Sequence, residues 1–165
     1  MRLENYSNLN RNDLGRVGEL NFATEDLRNT GYSCRPLRSC FKCFDLMVLD
    51  AGGFSHLTSV KTRYDFDCHN NPKVKCRLVQ LKQFDRERGI TTVEQKIEIA
   101  TQEAIAEYAP RQLGDHWFVA VWVDRRTGAH RSFLGTFDQA RFTRSKNEIY
   151  IPMSLEDCRQ YRCLH

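Results

Sequence analysis

Phe44-Asp45-Leu46-Met47-Val48-Leu49-Asp50-Ala51-Gly52-Gly53-Phe54-Ser55-His56-Leu57-Thr58-Ser59-Val60-Lys61-Thr62 is the stretch that decides the fold. Phe44 to Leu49 is a strand-like run, Asp50 to Gly53 is a turn, and Phe54 to Thr62 returns as a second strand. Consecutive glycines suit such a turn because they tolerate positive φ. Alternation along the returning strand puts Ser59 and Lys61 on one face and turns Val60 to the core. Asp45 shares its face with Met47 and Leu49. Asp45 and Lys61 lie at similar distances from the turn, so a carboxylate and an ammonium meet over one spot at the end of a sheet.

Upstream, Leu14, Val17, Leu20, Ala23 and Leu27 recur at helical spacing, predicting a helix over Asn12 to Asn29 that Thr30-Gly31 stops. Tyr32 to Leu37 is short and extended, and Pro36 favours a sheet edge. Downstream, Lys73, Lys75 and Arg77 alternate with Val74, Cys76 and Leu78, the pattern of a strand with a cationic face. Thr92 to Ala109 reads as a long helix ended by Pro110, with Val93, Ile97, Ala100, Ala104 and Tyr108 on its inner stripe. Trp117 to Val123 is apolar throughout, which predicts a central strand buried on both faces. Arg125 to Gly128 turns it into Arg131 to Phe137, and Glu148 to Ile151 is a last strand. This order specifies an α/β domain with a mixed sheet flanked by helices. The expected organisation is an extension over 1–11, one domain over 12–152 and a tail over 153–165.

Composition agrees with a single globular domain: 165 residues, 41% hydrophobic and 28% charged. No apolar run approaches the roughly 20 residues of a membrane-spanning helix. The first residues have no apolar core, so no secretory signal is expected and the cytoplasm is the expected compartment. Seven cysteines, an odd number, then read as reduced thiols. Cys40 and Cys43 have metal-ligand spacing, and Cys68 with Cys76 would complete a Zn²⁺ set; buried thiols without a metal are the other reading.

The net charge of +4 is mild, but its distribution is uneven. Lys73, Lys75, Arg77 and Lys82 occur between Asn70 and Lys82 without an acidic residue, and Arg63 precedes them. This stretch is either a phosphate-tracking face or a solvated edge strand. The helix after it carries Glu94, Glu98, Glu103 and Glu107 against Lys96 alone, the composition of a solvated face.

The pairing of Asp45 with Lys61, with Glu19 on the first helix, suits phosphodiester hydrolysis. Two carboxylates hold Mg²⁺ or Mn²⁺, and a lysine stabilises developing negative charge. A cross-strand ion pair with Glu19 in solvent is the alternative. Gly15 and Gly18 mark either close packing of that helix or an approach path for a nucleic-acid backbone.

In this order Gly15-x-x-Gly18-Glu19, Leu27-x-x-x-Gly31-Tyr32, Phe44-Asp45-Leu46 and Ser59-Val60-Lys61 resemble the PD-(D/E)XK nuclease superfamily, in its small resolvase-like and homing-endonuclease-like branch. The resemblance spans Asn12 to Arg63. It implies a restriction-endonuclease-like fold, a metal-dependent DNA endonuclease cutting duplex or branched DNA, and a symmetric oligomer, a dimer or tetramer. Glu19 matches the helix glutamate, Asp45 the metal-binding aspartate and Lys61 the catalytic lysine. Ser59 falls where the family has Glu, Asp or Gln, which removes a carboxylate from the metal site. Asp65 or Asp67 is a candidate substitute. Two further readings stay open: a nuclease fold retained to bind DNA or protein, and a zinc-stapled nucleic-acid-binding protein.

Overall fold

The computed structural model describes residues 9–38, 43–64, 75–140, 147–152 and 155–164. Its centre is β5 (Trp117–Val123), all seven residues of which are buried. A strand apolar on both faces needs a layer on each side, and the chain supplies both. Six strands form the main sheet in the order β1 (Ser33–Pro36), β2 (Leu46–Leu49), β3 (Ser55–Tyr64), β5, β6 (His130–Thr136) and β8 (Arg162–Cys163). Every neighbouring pair is antiparallel except β3 with β5, which run parallel with Thr58 opposite Trp117. The crossover between them contains β4 (Lys75–Gln80), α2 (Gln83–Glu87) and α3 (Val93–Tyr108). β4 pairs with β7 (Glu148–Pro152) as a separate two-stranded sheet. α4 (Leu155–Cys158) leads into β8. The protein is an α/β domain with a mixed sheet flanked by helices. Among the described residues no helix is long and apolar enough to cross a membrane.

On one face, α1 (Arg11–Asn21) and the π-helical turn Phe22–Asp26 place Leu14, Phe22 and Leu27 on Val48, Val60, Val119 and Val121. The other face packs Val93, Ile97, Ala100 and Ala104 of α3, with β4 and β7, against Met47, Leu57, Phe118 and Ala120. α3 starts at a reciprocal cap between Thr92 and Gln95 and ends at Ala109 in the left-handed region, just before Pro110.

The first helix departs from expectation. It ends at Asn21, and the widened turn follows. The residues buried in this segment are Leu14, Gly18, Phe22 and Asp26 with Leu27, four apart rather than on the expected stripe, and Leu20 is 51% exposed. The wide turn carries Asp26 onto the sheet, where its Oδ1 lies 2.9 Å from Nε2 of His130. Hydrogen bonding to Asp26 raises the His130 pKa against the opposing effect of burial. His56 is likewise structural, between Asp50 and the Asp115 carbonyl and stacked on Trp117. His116 stacks on Phe44, and burial lowers its pKa.

Residues 155–164 add an edge strand through β8 and bury Cys158 and Tyr161, the latter edge-on to Phe118. Lys96, expected on a solvated helix face, is instead buried with its Nζ 2.6 Å from Asp85 and 2.8 Å from the Gln80 carbonyl. A buried ammonium is tolerable only with such partners.

The two glycines of α1 separate. A Cβ on Gly18 would lie 1.8 Å from Thr62 Oγ1, whereas one on Gly15 meets nothing within 4 Å. Gly18 is where the α1 backbone lies against the Thr62 side chain of β3. Chemical denaturation should therefore show Gly18→Ala destabilised by about 1–3 kcal/mol. Gly15→Ala should be neutral, or stabilised by up to about 1 kcal/mol. The His130–Asp26 pair predicts a pH dependence. Because the folded pKa is raised, the stability margin of wild type over His130→Gln is full below about pH 6.5. It should decline as pH rises through the folded-state value, as urea midpoints measured across that range will show.

Candidate functional site

The hairpin register places Leu46 opposite Thr58, and continuing it by one residue sets Asp45 opposite Ser59. Asp45 stands just before β2. Its N–H donates to the Thr58 carbonyl at 2.9 Å and its carbonyl accepts from Leu37 at 2.9 Å, so the backbone on both sides holds it. Asp50 makes the turn at the other end, its Oδ1 accepting the Gly52 and Phe54 N–H groups.

Asp45 Oδ2 accepts the Val60 N–H at 2.7 Å and the Ser59 hydroxyl at 3.4 Å, and lies 3.7 Å from Lys61 Nζ. Lys61 is therefore not directly opposite Asp45, and its four-carbon stem reaches back to it along the ladder. Asp45 and Lys61 are 28% and 26% exposed, an arrangement open to a ligand. Ser59 is fully buried beneath them.

Glu19 approaches from α1. Burial raises its pKa and the Asp45 charge raises it further, while Lys61 and Arg16 act the other way. The structure thus brings Asp45, Ser59 and Lys61 into contact and sets Glu19 within electrostatic range of Asp45 and Lys61. Arg16 was missed in reading the sequence, although its position three residues before Glu19 puts both on one helix face. Asp65 and Asp67 lie outside the described residues.

A carboxylate whose ionisation burial and a second carboxylate make costlier, beside one lysine, belongs to a donor set suited to a divalent oxygen-seeking cation. Among the described residues no group of three or more His, Cys, Asp and Glu side chains is placed to hold a metal. Asp45 and Glu19 are the two carboxylates whose charges meet near Lys61, and the buried Ser59 beside Asp45 is neutral.

The other candidate residues are dispersed. Lys73 lies outside the described residues, and Lys75 is described only as opening β4 opposite Pro152. Arg77 is exposed, but its Nε is 2.9 Å from Glu148 Oε2 on β7. A register shift between Arg77 and Val79 breaks the expected alternation, so that Leu78 and Val79 are both buried. Arg63 donates to the carbonyl of Thr62, and Lys82 is exposed just before α2. Of the proposed zinc set, Cys40 and Cys68 lie outside the described residues. Cys43 and Cys76 are buried, and burial raises both thiols, Cys43 to about 11.

The Val60 N–H gives Asp45 a structural duty. Asp45→Ala strands a backbone donor and should cost about 1–3 kcal/mol. Asp45→Asn keeps an oxygen acceptor there and should unfold close to wild type in the same denaturation series. It is therefore the proper control for any loss of activity.

No family model matches the chain, and no curated protein matches it. A solved structure of a Holliday junction resolvase from the archaeal hyperthermophile Archaeoglobus fulgidus is similar over 87% of this chain and 92% of that one, with 12% sequence identity and a TM-score of 0.42. What bears on function is the chain's own geometry, with Asp45, Ser59 and Lys61 on one hairpin and Glu19 brought to them by α1.

Proposed function

We propose that this protein is a metal-dependent DNA endonuclease that hydrolyses phosphodiester bonds in duplex or branched DNA. The observation that carries the reading is the approach of Lys61 to within 3.7 Å of Asp45 at a solvent-accessible hairpin edge. The coupling of Glu19 to both supports it. Mg²⁺ or Mn²⁺ held by Asp45 and Glu19 would polarise the scissile phosphate and lower the pKa of bound water. The Val60 N–H and the Ser59 hydroxyl fix the Asp45 carboxylate, so its orientation is set before substrate arrives. Lys61, partly exposed, is placed to donate to a phosphate oxygen as negative charge grows on it. Arg63, two residues on, and Lys73, Lys75, Arg77 and Lys82 are the cations assigned to the DNA backbone. A symmetric dimer or tetramer would present one site to each strand.

A second reading has its own observation. Ser59 replaces a carboxylate, and Asp45 Oδ2 is already engaged by Val60, Ser59 and Lys61. That arrangement also describes a nuclease fold kept for binding DNA after metal affinity is lost.

Plasmid cleavage across Mg²⁺ and Mn²⁺ titrations decides between them. We expect cutting that needs millimolar-range Mg²⁺ or less Mn²⁺, that disappears in Asp45→Asn and Lys61→Ala, and that persists at lower metal concentration in Ser59→Glu. Equal cutting by wild type and Asp45→Asn, or none with either metal, overturns the catalytic reading. The pH profile gives a further check. Glu19 must lose its proton to hold a cation, and burial with the Asp45 charge raises its pKa, so the acid limb should lie higher than a solvated glutamate would set it. Arg16→Gln removes a charge that lowers that pKa, so the limb should move to higher pH.

A further inference from the structure

β3 and β5 run parallel and β6 runs back beside β5, so the last residues of the first two strands meet the first of the third at one end of the sheet. Arginines collect there. The register sets Arg63 opposite Trp122 and Trp122 opposite Arg131, which puts both arginines on the face that carries Lys61. At about 4.8 Å per strand they stand roughly 10 Å apart. Arg125 and Arg126 occupy the turn between β5 and β6. The Arg125 guanidinium lies 4.4 Å from the ring centroid of Tyr64, the last residue of β3 and the neighbour of Arg63. Acids near this end are already engaged. Asp124 Oδ1 accepts the Arg126 and Thr127 N–H groups at 2.6 and 3.0 Å, Asp26 is buried against His130, and Glu25 lies 3.9 Å from the same imidazole. Among the described residues no carboxylate forms an ion pair with any of the four arginines.

We infer that Arg125, stacked on Tyr64, and Arg63 bind a backbone phosphate of DNA about three nucleotides from the cleaved bond, with Arg131 flanking them. The inference rests on the endonuclease reading and adds a path for the DNA beyond its site. Stacking on Tyr64 fixes the plane of the Arg125 guanidinium, and a planar guanidinium presents paired N–H donors to two phosphate oxygens. Arg125 Nε is buried without an acceptor among the described residues, and its terminal amino groups bond to none of them. An arginine already held in this way gives up less rotamer freedom on binding than a solvated one. Arg63 donates only to a neutral partner, the Thr62 carbonyl. Position along β3 sets the reach. Lys61 and Tyr64 are three residues apart, about 10 Å at ~3.3 Å per residue. Three phosphates at about 3.4 Å along one strand of a duplex cover the same distance. An acidic peptide could meet the same donors, but DNA is favoured because the arginines continue the line that Lys61 begins.

The test is fluorescence anisotropy of a short dye-labelled duplex titrated with the full chain in EDTA, over a series of salt concentrations. Arg125→Gln should weaken binding about fivefold at about 0.15 M salt and reduce the salt slope by about 0.9. Tyr64→Leu should weaken it severalfold although it removes no charge, and Tyr64→Phe should match wild type. Arg111 is exposed at the other end of β3, next to Gln112, whose carbonyl accepts the Ser55 N–H. Arg111→Gln is therefore the charge control and should leave the slope unchanged. An unchanged slope in Arg125→Gln, an equal loss in Arg111→Gln, wild-type affinity in Tyr64→Leu, or no binding by wild type overturns the inference. So does polyglutamate of equal charge binding as tightly as the duplex, which would mark an acidic-protein site. Circular dichroism melts check that each variant folds. If Tyr64→Leu does not, Arg125→Lys replaces it, keeping the charge without the stacked plane, and affinity equal to wild type would overturn the inference. No metal or cleavage enters this assay. Arg125-dependent binding without cutting sinks only the endonuclease reading, and cutting by a protein whose binding ignores Arg125 sinks only this one.

Discussion

The close approach of α1 to β3 at Gly18 and Thr62 is the constraint on which the site depends. Hydrophobic burial brings the helix to the sheet, since Leu14 and Phe22 have no other place to go. It does not set the distance. The absence of a Cβ at Gly18 does, letting the helix backbone settle against a threonine side chain. Glu19 is the next residue, so the depth of that contact fixes how near its carboxylate comes to Asp45 and Lys61. A packing detail on the apolar face therefore sets the electrostatics of the polar edge.

At that edge, stability and chemistry share one carboxylate. Asp45 satisfies a backbone donor of β3 and also faces a lysine that its own charge attracts. The serine at position 59 lowers the negative charge of the group, and its hydroxyl turns to Asp45. A neutral residue there spares Asp45 and Glu19 the repulsion that a third carboxylate would add. Under the endonuclease proposal, the same serine would leave a bound cation one ligand short.

Much of this was legible in the order of residues. The hairpin declared itself through Gly52-Gly53 and the alternation up to Lys61, β5 through seven apolar positions, and α3 through Thr92 and Pro110 at its ends. Asp45 and Lys61 could be paired because one turn determines their register. What was hidden is non-local. Nothing near Cys76 says that Ile151 is its partner, that Glu148 will hold Arg77, or that a bulge at Leu78 spoils the alternation. Lys96 looked solvated because Asp85 and the Gln80 carbonyl, its partners, come from other elements. The widened turn after Asn21 escaped notice because its reason, His130, lies on β6. Periodicity identifies an element and the face it buries, but not the neighbour it meets.

The parallel pairing of β3 with β5 has a consequence for how the site is assembled in time. Asp45, Ser59 and Lys61 belong to a single hairpin, a local structure that closes quickly because little chain entropy is lost in forming it. The seat for α1 is different. It includes Val119 and Val121, which reach the hairpin only after the long crossover through α3 has folded back. Long-range closure of that kind is slow. The carboxylate–lysine pair is thus an early arrival and Glu19 a late one, and opening runs in reverse. Release of α1 alone would take Glu19 away while the hairpin stays formed, so the chain can lose the meeting of the two carboxylates well before it loses its fold.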